Sequence, residues 1–198
     1  MALDGPYTID DLLAMTGQKP RKAAPVLRAG VVTLPGTRAR NMRLLGIDPG
    51  TRCVGWGVVE VCAKSGTLSL FDCGYIAPGN ALELRVRLRE IFAELEEIIT
   101  RIRPDAAALE ETFAGVNMKS AIAMGEGRGV ALLSLARANL DVLELSPRSI
   151  KKAVTGSGAS SKTQVATMVA AQLNIKKAPQ PEDVTDALAA AIALARRL

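Results

Sequence analysis

Histidine is absent from the 198-residue sequence. This absence excludes Ser-His-Asp and Cys-His nucleophilic catalysis, acid–base chemistry by histidine, and most catalytic zinc sites. Any hydrolytic chemistry in this chain must therefore rest on carboxylates.

Cysteine is scarce, with Cys53, Cys62 and Cys73 as the only three. Their number is odd, no two of them form a CxxC pair, and apolar or small residues surround them, which argues against a disulfide framework and a zinc site. We expect three reduced thiols that serve as packing residues.

Long apolar runs and a secretory signal are also missing. Charged residues or glycine interrupt the longest apolar stretches, and the first residues, with Asp4, Asp10 and Asp11, lack the basic-then-apolar order of a signal peptide. The sequence thus predicts a soluble, cytoplasmic protein.

Acidic residues are absent between Glu144 and Glu182, although the formal charge of the whole chain is only +5. Clustered Lys and Arg neutralise phosphates and give sequence-independent affinity for DNA, so this segment is a candidate DNA-binding surface. A basic face that is merely solvated is the alternative interpretation. The basic residues of this acid-free segment are Arg148, Lys151, Lys152, Lys162, Lys176 and Lys177.

The length suits one domain with an appendage. Residues 1–41 form the appendage, because a short helix capped by Thr8 would be followed only by a segment that Pro and Gly interrupt repeatedly. The domain is expected at residues 42–198.

Hydrophobic periodicity predicts an α/β domain with a mixed sheet of about five strands. Three strands come first, and helices and further strands then alternate. Strands are expected at 43–48, 54–61, 67–76, 106–111 and 141–145, and helices at 81–103, 117–139, 147–154, 160–173 and from 181 to the end.

Four acids stand where elements of this pattern end or begin. Asp48 and Glu110 end predicted strands, so their side chains should emerge at the carboxyl edge of the sheet, where active sites of α/β folds commonly lie. Glu111 must face away from Glu110 because strand side chains alternate. Asp183 and Asp186 share one face at the start of the last helix. The alternatives to a functional site are that Asp48 only forms a turn and that Asp183 and Asp186 only cap the helix.

Carboxylates that converge from two strand ends and a helix start repel one another unless a cation offsets their charge. Mg²⁺ or Mn²⁺ is the natural occupant. Two such ions about 3.5 to 4 Å apart can activate a water and stabilise a leaving oxygen. This chemistry needs no histidine.

Four motifs follow one another in the sequence, namely LGIDPGTR at 45–52, GWG at 55–57, ALE at 108–110 and DVTDALA at 183–189. Each is weak alone, and openings similar to the first also occur in actin-like ATPases and in YqgF-type proteins. As an ordered set they resemble the RuvC family of bacterial Holliday junction resolvases, within a match that runs from about Met42 to Leu198.

This resemblance implies a ribonuclease-H-like three-layer fold with helices on both faces of a mixed five-stranded sheet. It also implies a crossover junction endodeoxyribonuclease that makes paired cuts in four-way DNA junctions and leaves 5′-phosphate ends, in recombination and repair. The catalytic and metal-binding carboxylates it implies are Asp48, Glu110, Asp183 and Asp186, with Mg²⁺ or Mn²⁺, two ions per site. Asp183 stands where some relatives have His.

The resemblance further implies the residues that contact DNA. Phe113 matches an aromatic that stacks on an unpaired base, with core packing as its alternative. Lys151 and Lys162 match lysines near the scissile strand, and Arg148 and Lys152 belong to the same acid-free segment.

Partners implied by the resemblance are a second copy of the chain and the RuvA-RuvB branch-migration proteins. Residues 117–129 (NMKSAIAMGEGRG) are similar to the helix through which the family dimerises, and a merely buried helix is the alternative. Residues 1–41 have no counterpart in the family pattern, which fits either a misassigned start upstream of Met42 or a functional extension.

Two rival functions remain at this stage. An actin-like ATPase or sugar kinase duplicates the fold and needs about twice this length. A non-catalytic junction-binding module would suit the basic segment, but four clustered acids would weaken its hold on phosphate.

Overall fold

The structure is a computed structural model that describes residues 40–79, 82–111 and 118–198, the side chains of 118–120 excepted. The part of the chain that it describes forms a three-layer α/β fold, as predicted. The strands are β1 (Met42–Asp48), β2 (Val54–Val61), β3 (Leu68–Ile76), β4 (Ala106–Glu110) and β5 (Val142–Leu145). The helices are α1 (Leu84–Ile102), α2 (Met118–Arg137), α3 (Pro147–Thr155), α4 (Lys162–Gln172) and α5 (Glu182–Ala195).

The five strands form one mixed sheet in the order β3-β2-β1-β4-β5. The first three make the predicted antiparallel meander, and β1, β4 and β5 run parallel. Parallel neighbours end at the same edge, so β1 and β4 bring their carboxyl ends together.

Alternating side chains of β1 divide the core between two helical layers. Leu44 packs into the cluster formed with α3, α4 and α5, whereas Leu45 and Ile47 pack into the cluster formed with α1 and α2. This alternation is the predicted period of two for a strand that is covered on both faces.

Helix α1 is shorter than the expected 81–103 but keeps the expected apolar face, with Ile91, Leu95 and Ile102 buried. It ends where Arg103 adopts a left-handed conformation (φ 52°) and its amide donates to the Ile99 carbonyl at 2.8 Å. Pro104 then prevents continuation of the helix.

The domain takes in two residues that the sequence places in the extension. Arg40 forms an ion pair with Asp105, and the Asn41 side chain donates to Glu60 and accepts from the Ala63 amide, each at 3.0 Å. The expected helix capped by Thr8 lies outside the described residues.

Within those ranges, no helix is both long and apolar enough to cross a lipid bilayer.

Candidate active site

Two strand ends place a pair of acids at the carboxyl edge of the sheet. Ile47 of β1 pairs with Leu109 of β4, so Asp48 and Glu110 are the next residues along two adjacent parallel strands. Strand alternation turns both side chains toward the layer of α3, α4 and α5, on the face that buries Leu44.

Helix α5 brings two more acids because its backbone lies directly on β1 and β2. A Cβ built on Gly46 would lie 1.9 Å from the Ala187 carbonyl oxygen, and one built on Gly55 would lie 2.0 Å from that of Asp183. Glycine at these strand positions thus permits an approach that any side chain would block. The start of α5 therefore stands beside the end of β1.

Asp48, Glu110 and Asp186 line one cavity of about 300 Å³. Lys151 of α3 and Lys162 of α4 complete its polar lining, and apolar side chains of the three helices form the rest. The cavity therefore combines three carboxylates from three elements with two ammonium groups.

Asp183 lies one turn of helix earlier and does not line this cavity. It is half-buried on α5, with the thiol of Cys53 beside its carboxylate. Its negative charge still contributes to the raised pKa values of Asp48 and Asp186. The structure thus places all four predicted acids in one electrostatic neighbourhood, three of them facing one cavity.

The cavity holds its acids in an environment that favours their protonated forms. Burial, followed by the negative charges of Glu110 and Asp186, raises the pKa of Asp48 to about 8. Burial and then Asp186 raise the pKa of Glu110 to about 7. Burial also raises the pKa of Asp186. A bound cation would reverse this penalty, because it stabilises the ionised carboxylates.

Lys162 supplies the positive charge closest to these acids. Its ammonium donates to Glu182 at 3.0 Å and to Asp186 at 3.4 Å. The hydrogen bond to Glu182, then the charge of Asp186, raises the pKa of Lys162. The ammonium group consequently stays charged at neutral pH, at the rim of the carboxylate cavity.

The donor set suits a hard divalent cation, since it consists of carboxylate oxygens without histidine or thiolate in the cavity lining. In the ranges that the structure describes, no three acidic or thiol side chains stand close enough together to hold one ion as they are placed. An ion bound there would be held by one or two carboxylates with water and substrate phosphate as its further ligands, or by carboxylates that move closer to one another.

The remaining predicted site residues lie outside the cavity lining. Arg148 and Lys152 are exposed on α3, on either side of the position of Lys151 in the chain. Glu111 follows β4, and its amide donates to the Leu145 carbonyl at 2.9 Å. Phe113 lies outside the described residues.

Sequence patterns did not single out two neighbours of the site. Cys53, expected to be a packing residue, lies near Asp183 and Asp48. Burial, followed by the negative charge of Asp183, raises the pKa of its thiol to about 11. Glu182 binds Lys162. Only the position of Glu182 next to Asp183 could have drawn attention to it. All three cysteines are free thiols of intermediate exposure.

Helix α2 presents large apolar side chains to solvent in this single chain. Ile122 is 55% exposed, Met124 43% and Leu133 53%. Ala131 and Leu135, on the side of the helix opposite Ile122 and Leu133, are buried in the cluster formed with α1 and the sheet. Helix α2 is thus only half covered, contrary to the alternative of a fully buried helix.

Comparison with known proteins shows which family shares this sequence and fold. The family model described as "Crossover junction endodeoxyribonuclease RuvC" matches residues 44–194. Proteins of that name from Chloroflexus aggregans and Dehalococcoides mccartyi are 45% and 46% identical over 151 residues each, which is 76% of this chain and 91% and 90% of theirs.

Solved structures of known proteins are also similar to this chain. The RuvC of Thermus thermophilus is similar with a TM-score of 0.72 at 33% identity, over 78% of this chain and 94% of that one. The same protein in complex with its Holliday junction substrate gives a TM-score of 0.72 at 32% identity, over 77% and 92%. The yeast mitochondrial resolvase Ydc2 shares the fold, with a TM-score of 0.57 at 13% identity and coverage of 78% and 79%.

Proposed function

This chain belongs to the RuvC family of crossover junction endodeoxyribonucleases, and we propose that its own carboxylate cavity cuts four-way DNA junctions. The observation that carries the proposal is the convergence of Asp48, Glu110 and Asp186 on one cavity that also holds Lys151 and Lys162. Carboxylates facing ammonium groups form a site for a phosphodiester that is bound together with divalent metal.

Asp48, Glu110, Asp183 and Asp186 are the proposed metal-holding residues, with two Mg²⁺ or Mn²⁺ ions per site. Such ions would supply an activated water and neutralise charge on the leaving oxygen. The family resemblance implies a cut that leaves a 5′-phosphate and a 3′-hydroxyl. Cys53 would hold Asp183 on the β1 side of the cavity. Movement of Asp183 or of the cavity acids would then complete the ligand set.

Lys162 and Lys151 are proposed to hold the scissile phosphate. Both line the cavity beside the acids, and Lys162 is 65% exposed, so its ammonium group can turn from Asp186 to an incoming phosphate oxygen. Arg148 and Lys152, exposed on α3, would bind the phosphates of the flanking strand. Phe113 is proposed to stack on an unpaired base at the junction point.

A homodimer is proposed to form through α2. A four-way junction has approximate twofold symmetry, and a chain with one carboxylate cavity needs a second copy to cut two opposed strands. The exposed Ile122, Met124 and Leu133 give α2 the apolar surface that such an interface requires. RuvA-RuvB would be the partner complex in the cytoplasm, where recombining DNA lies in bacteria.

The nuclease domain is proposed to cover residues 42–198, with residues 1–41 as an extension or an upstream misassigned start. The family match begins at residue 44, and Arg40 and Asn41 contact the domain through Asp105 and Glu60. The actin-like alternative needs a second copy of the fold, and the described residues contain one five-stranded sheet.

A junction cleavage assay tests the proposal against a non-catalytic binding module. Mobile synthetic junctions and duplexes of the same sequence are incubated with the protein in EDTA, Mg²⁺ or Mn²⁺. We expect paired nicks in the junction alone, only with metal, and products that ligase reseals. Tight junction binding without cutting in either metal would favour the binding module and refute the proposal.

A further inference from the structure

A groove leaves the carboxylate cavity along α4 and ends at Lys176 and Lys177. The cavity adjoins a second concavity of about 190 Å³, because Lys162 and Asp186 line both. The second adjoins a third of about 480 Å³, since Thr163, Ala166 and Gln180 line both of these. We call this row of three concavities the α4 groove.

Small or basic side chains line most of the α4 groove. One wall is α4, which offers Thr163, Ala166 and Ala170, and the other is the 175–182 segment, which offers Lys176 and Lys177. Both lysines are exposed. Residues 162–180 contain three lysines and no acid. Glu182 is the one acid in the middle concavity besides Asp186, and Lys162 binds both.

We propose that the α4 groove seats the phosphate backbone of the DNA strand that continues away from the scissile phosphate, with Lys176 and Lys177 as phosphate contacts at its far end. This inference rests on the proposed junction cleavage, since the groove starts at the proposed active site. The far end of the groove carries Lys176 and Lys177 with no acid in its lining, which matches a polyanion. Its position in line with the carboxylate cavity favours the substrate strand over an acidic segment of another protein.

The length of the groove fixes where along the strand these contacts should fall. Helix α4 rises about 14 Å from Lys162 to Ala171, at about 1.5 Å per residue. One strand of B-DNA advances about 3.4 Å per nucleotide along the duplex axis, and successive phosphates lie farther apart than this rise, so the length spans at most about four nucleotides. Lys176 and Lys177 line the concavity that includes Ala171. They should therefore contact phosphates within roughly four nucleotides of the cut.

The first test measures the salt dependence of junction binding in EDTA. Lys176→Gln/Lys177→Gln is compared with wild type and with the matched double variant Lys64→Gln/Arg89→Gln. That control removes the same charge from two exposed residues, one in the β2–β3 turn at the opposite end of the sheet and one on α1 on its opposite face. Junction Kd is measured between 50 and 200 mM salt.

We expect the groove variant to lower the slope of log K against log salt by about 1.8, at about 0.9 per lost phosphate contact, and to weaken binding about tenfold at 100 mM. The control should keep the wild-type slope. The cleavage rate of the saturated complex should stay within about twofold of wild type, because the lysines lie away from the cavity. An unchanged slope would overturn the proposal and would fit an acidic protein partner instead. An equal fall in the control would overturn it by showing a general effect of lost positive charge.

The second test locates the contact by neutralising single phosphates. Junctions carrying one methylphosphonate at successive positions from the cut are bound to wild type and to Lys176→Gln/Lys177→Gln. Neutralisation at one or two positions in the expected range should weaken wild type severalfold and leave the variant unaffected. Equal effects on both proteins at every position would contradict the proposed phosphate contacts of Lys176 and Lys177. Failure of wild type to cut any junction would instead refute the proposed function itself.

Discussion

Gly127 of α2 lies against the carbonyl oxygen of Gly50, two residues after Asp48. A Cβ built at position 127 would lie only 2.4 Å from that oxygen. Arg87 of α1 holds the next residue of the same loop, because it donates to the Thr51 carbonyl at 3.2 Å. The loop that follows Asp48 is therefore clamped between two helices, one of which is the proposed dimer helix.

Gly127→Ala should disturb this clamp. The added methyl group has to displace the Gly50 carbonyl, so we expect a loss of about 1 to 3 kcal/mol in the free energy of unfolding and a fall in junction cleavage. Gly129→Ala is the matched control on the same helix, since among the described residues no atom outside its own stretch of helix lies within 4 Å of its built Cβ. It should be neutral or stabilising by up to about 1 kcal/mol. The free energy of unfolding in urea and the rate of junction cleavage are measured for both variants. Equal values for the two would show that the contact affects neither stability nor cleavage.

Glu110→Gln and Glu111→Gln form a second matched pair. Only Glu110 faces the cavity, so its substitution should lower cleavage at least about 100-fold, or about 2.7 kcal/mol, while junction binding in EDTA persists. Glu111→Gln should keep near-normal cleavage. Comparable losses in the two variants would mean that strand alternation does not select the catalytic acid.

The raised pKa values predict a pH dependence of stability without metal. The unfolded chain releases the protons of Asp48 and Glu110 near pH 4, whereas the folded chain holds them to about pH 8 and 7. Between these limits the unfolded state binds fewer protons, so the free energy of unfolding falls as pH rises from about 4 to 8.

Asp48→Asn removes the larger part of this penalty. In EDTA the variant should become more stable than wild type as pH rises through this window, by at least about 1 kcal/mol at pH 8. At pH 4 the difference should be small. Urea unfolding across this range measures it, with Glu111→Gln as the control. A stability difference that does not change with pH would contradict a buried, protonated Asp48.

A chain that begins at Met42 should fold, dimerise and cleave junctions. It loses the Arg40–Asp105 ion pair and the two Asn41 hydrogen bonds, which are exposed and should cost less than about 1 kcal/mol each. Thermal unfolding, sedimentation and junction cleavage compare it with the full chain. Insolubility or loss of cutting would assign residues 1–41 a role in the fold or in the reaction.

Much of this fold could be predicted because local patterns mark its elements. Helix α1 repeats its apolar positions every three or four residues, and β1 carries an apolar run that ends at Asp48 and a Pro-Gly turn. Such signals were enough to predict ten elements in their order along the chain. Errors fell at the ends of elements, as at α2, which ends at Arg137 and not at the expected residue 139.

The site could be predicted only as far as strand ends and helix starts determine it. Which acid of α5 enters the cavity depends on the rotation of that helix against β1 and β2, and close backbone contacts at Gly46 and Gly55 set that rotation. The Lys162–Glu182 pair depends on packing of α4 against α5, twenty residues apart in sequence. No local pattern encodes such contacts.

The most direct measurement of the central claim uses a supercoiled plasmid that extrudes a cruciform. Wild-type protein with Mg²⁺ or Mn²⁺ should yield linear plasmid, because two cavities of one dimer cut opposed strands, whereas Asp48→Asn should leave the plasmid uncut. An equal mixture of the two chains should place about half of the dimers in mixed form, and these should give open circles from single nicks. Efficient linearisation by Asp48→Asn, or by its mixed dimers at the wild-type rate, would contradict a paired cut by one Asp48-containing cavity in each chain.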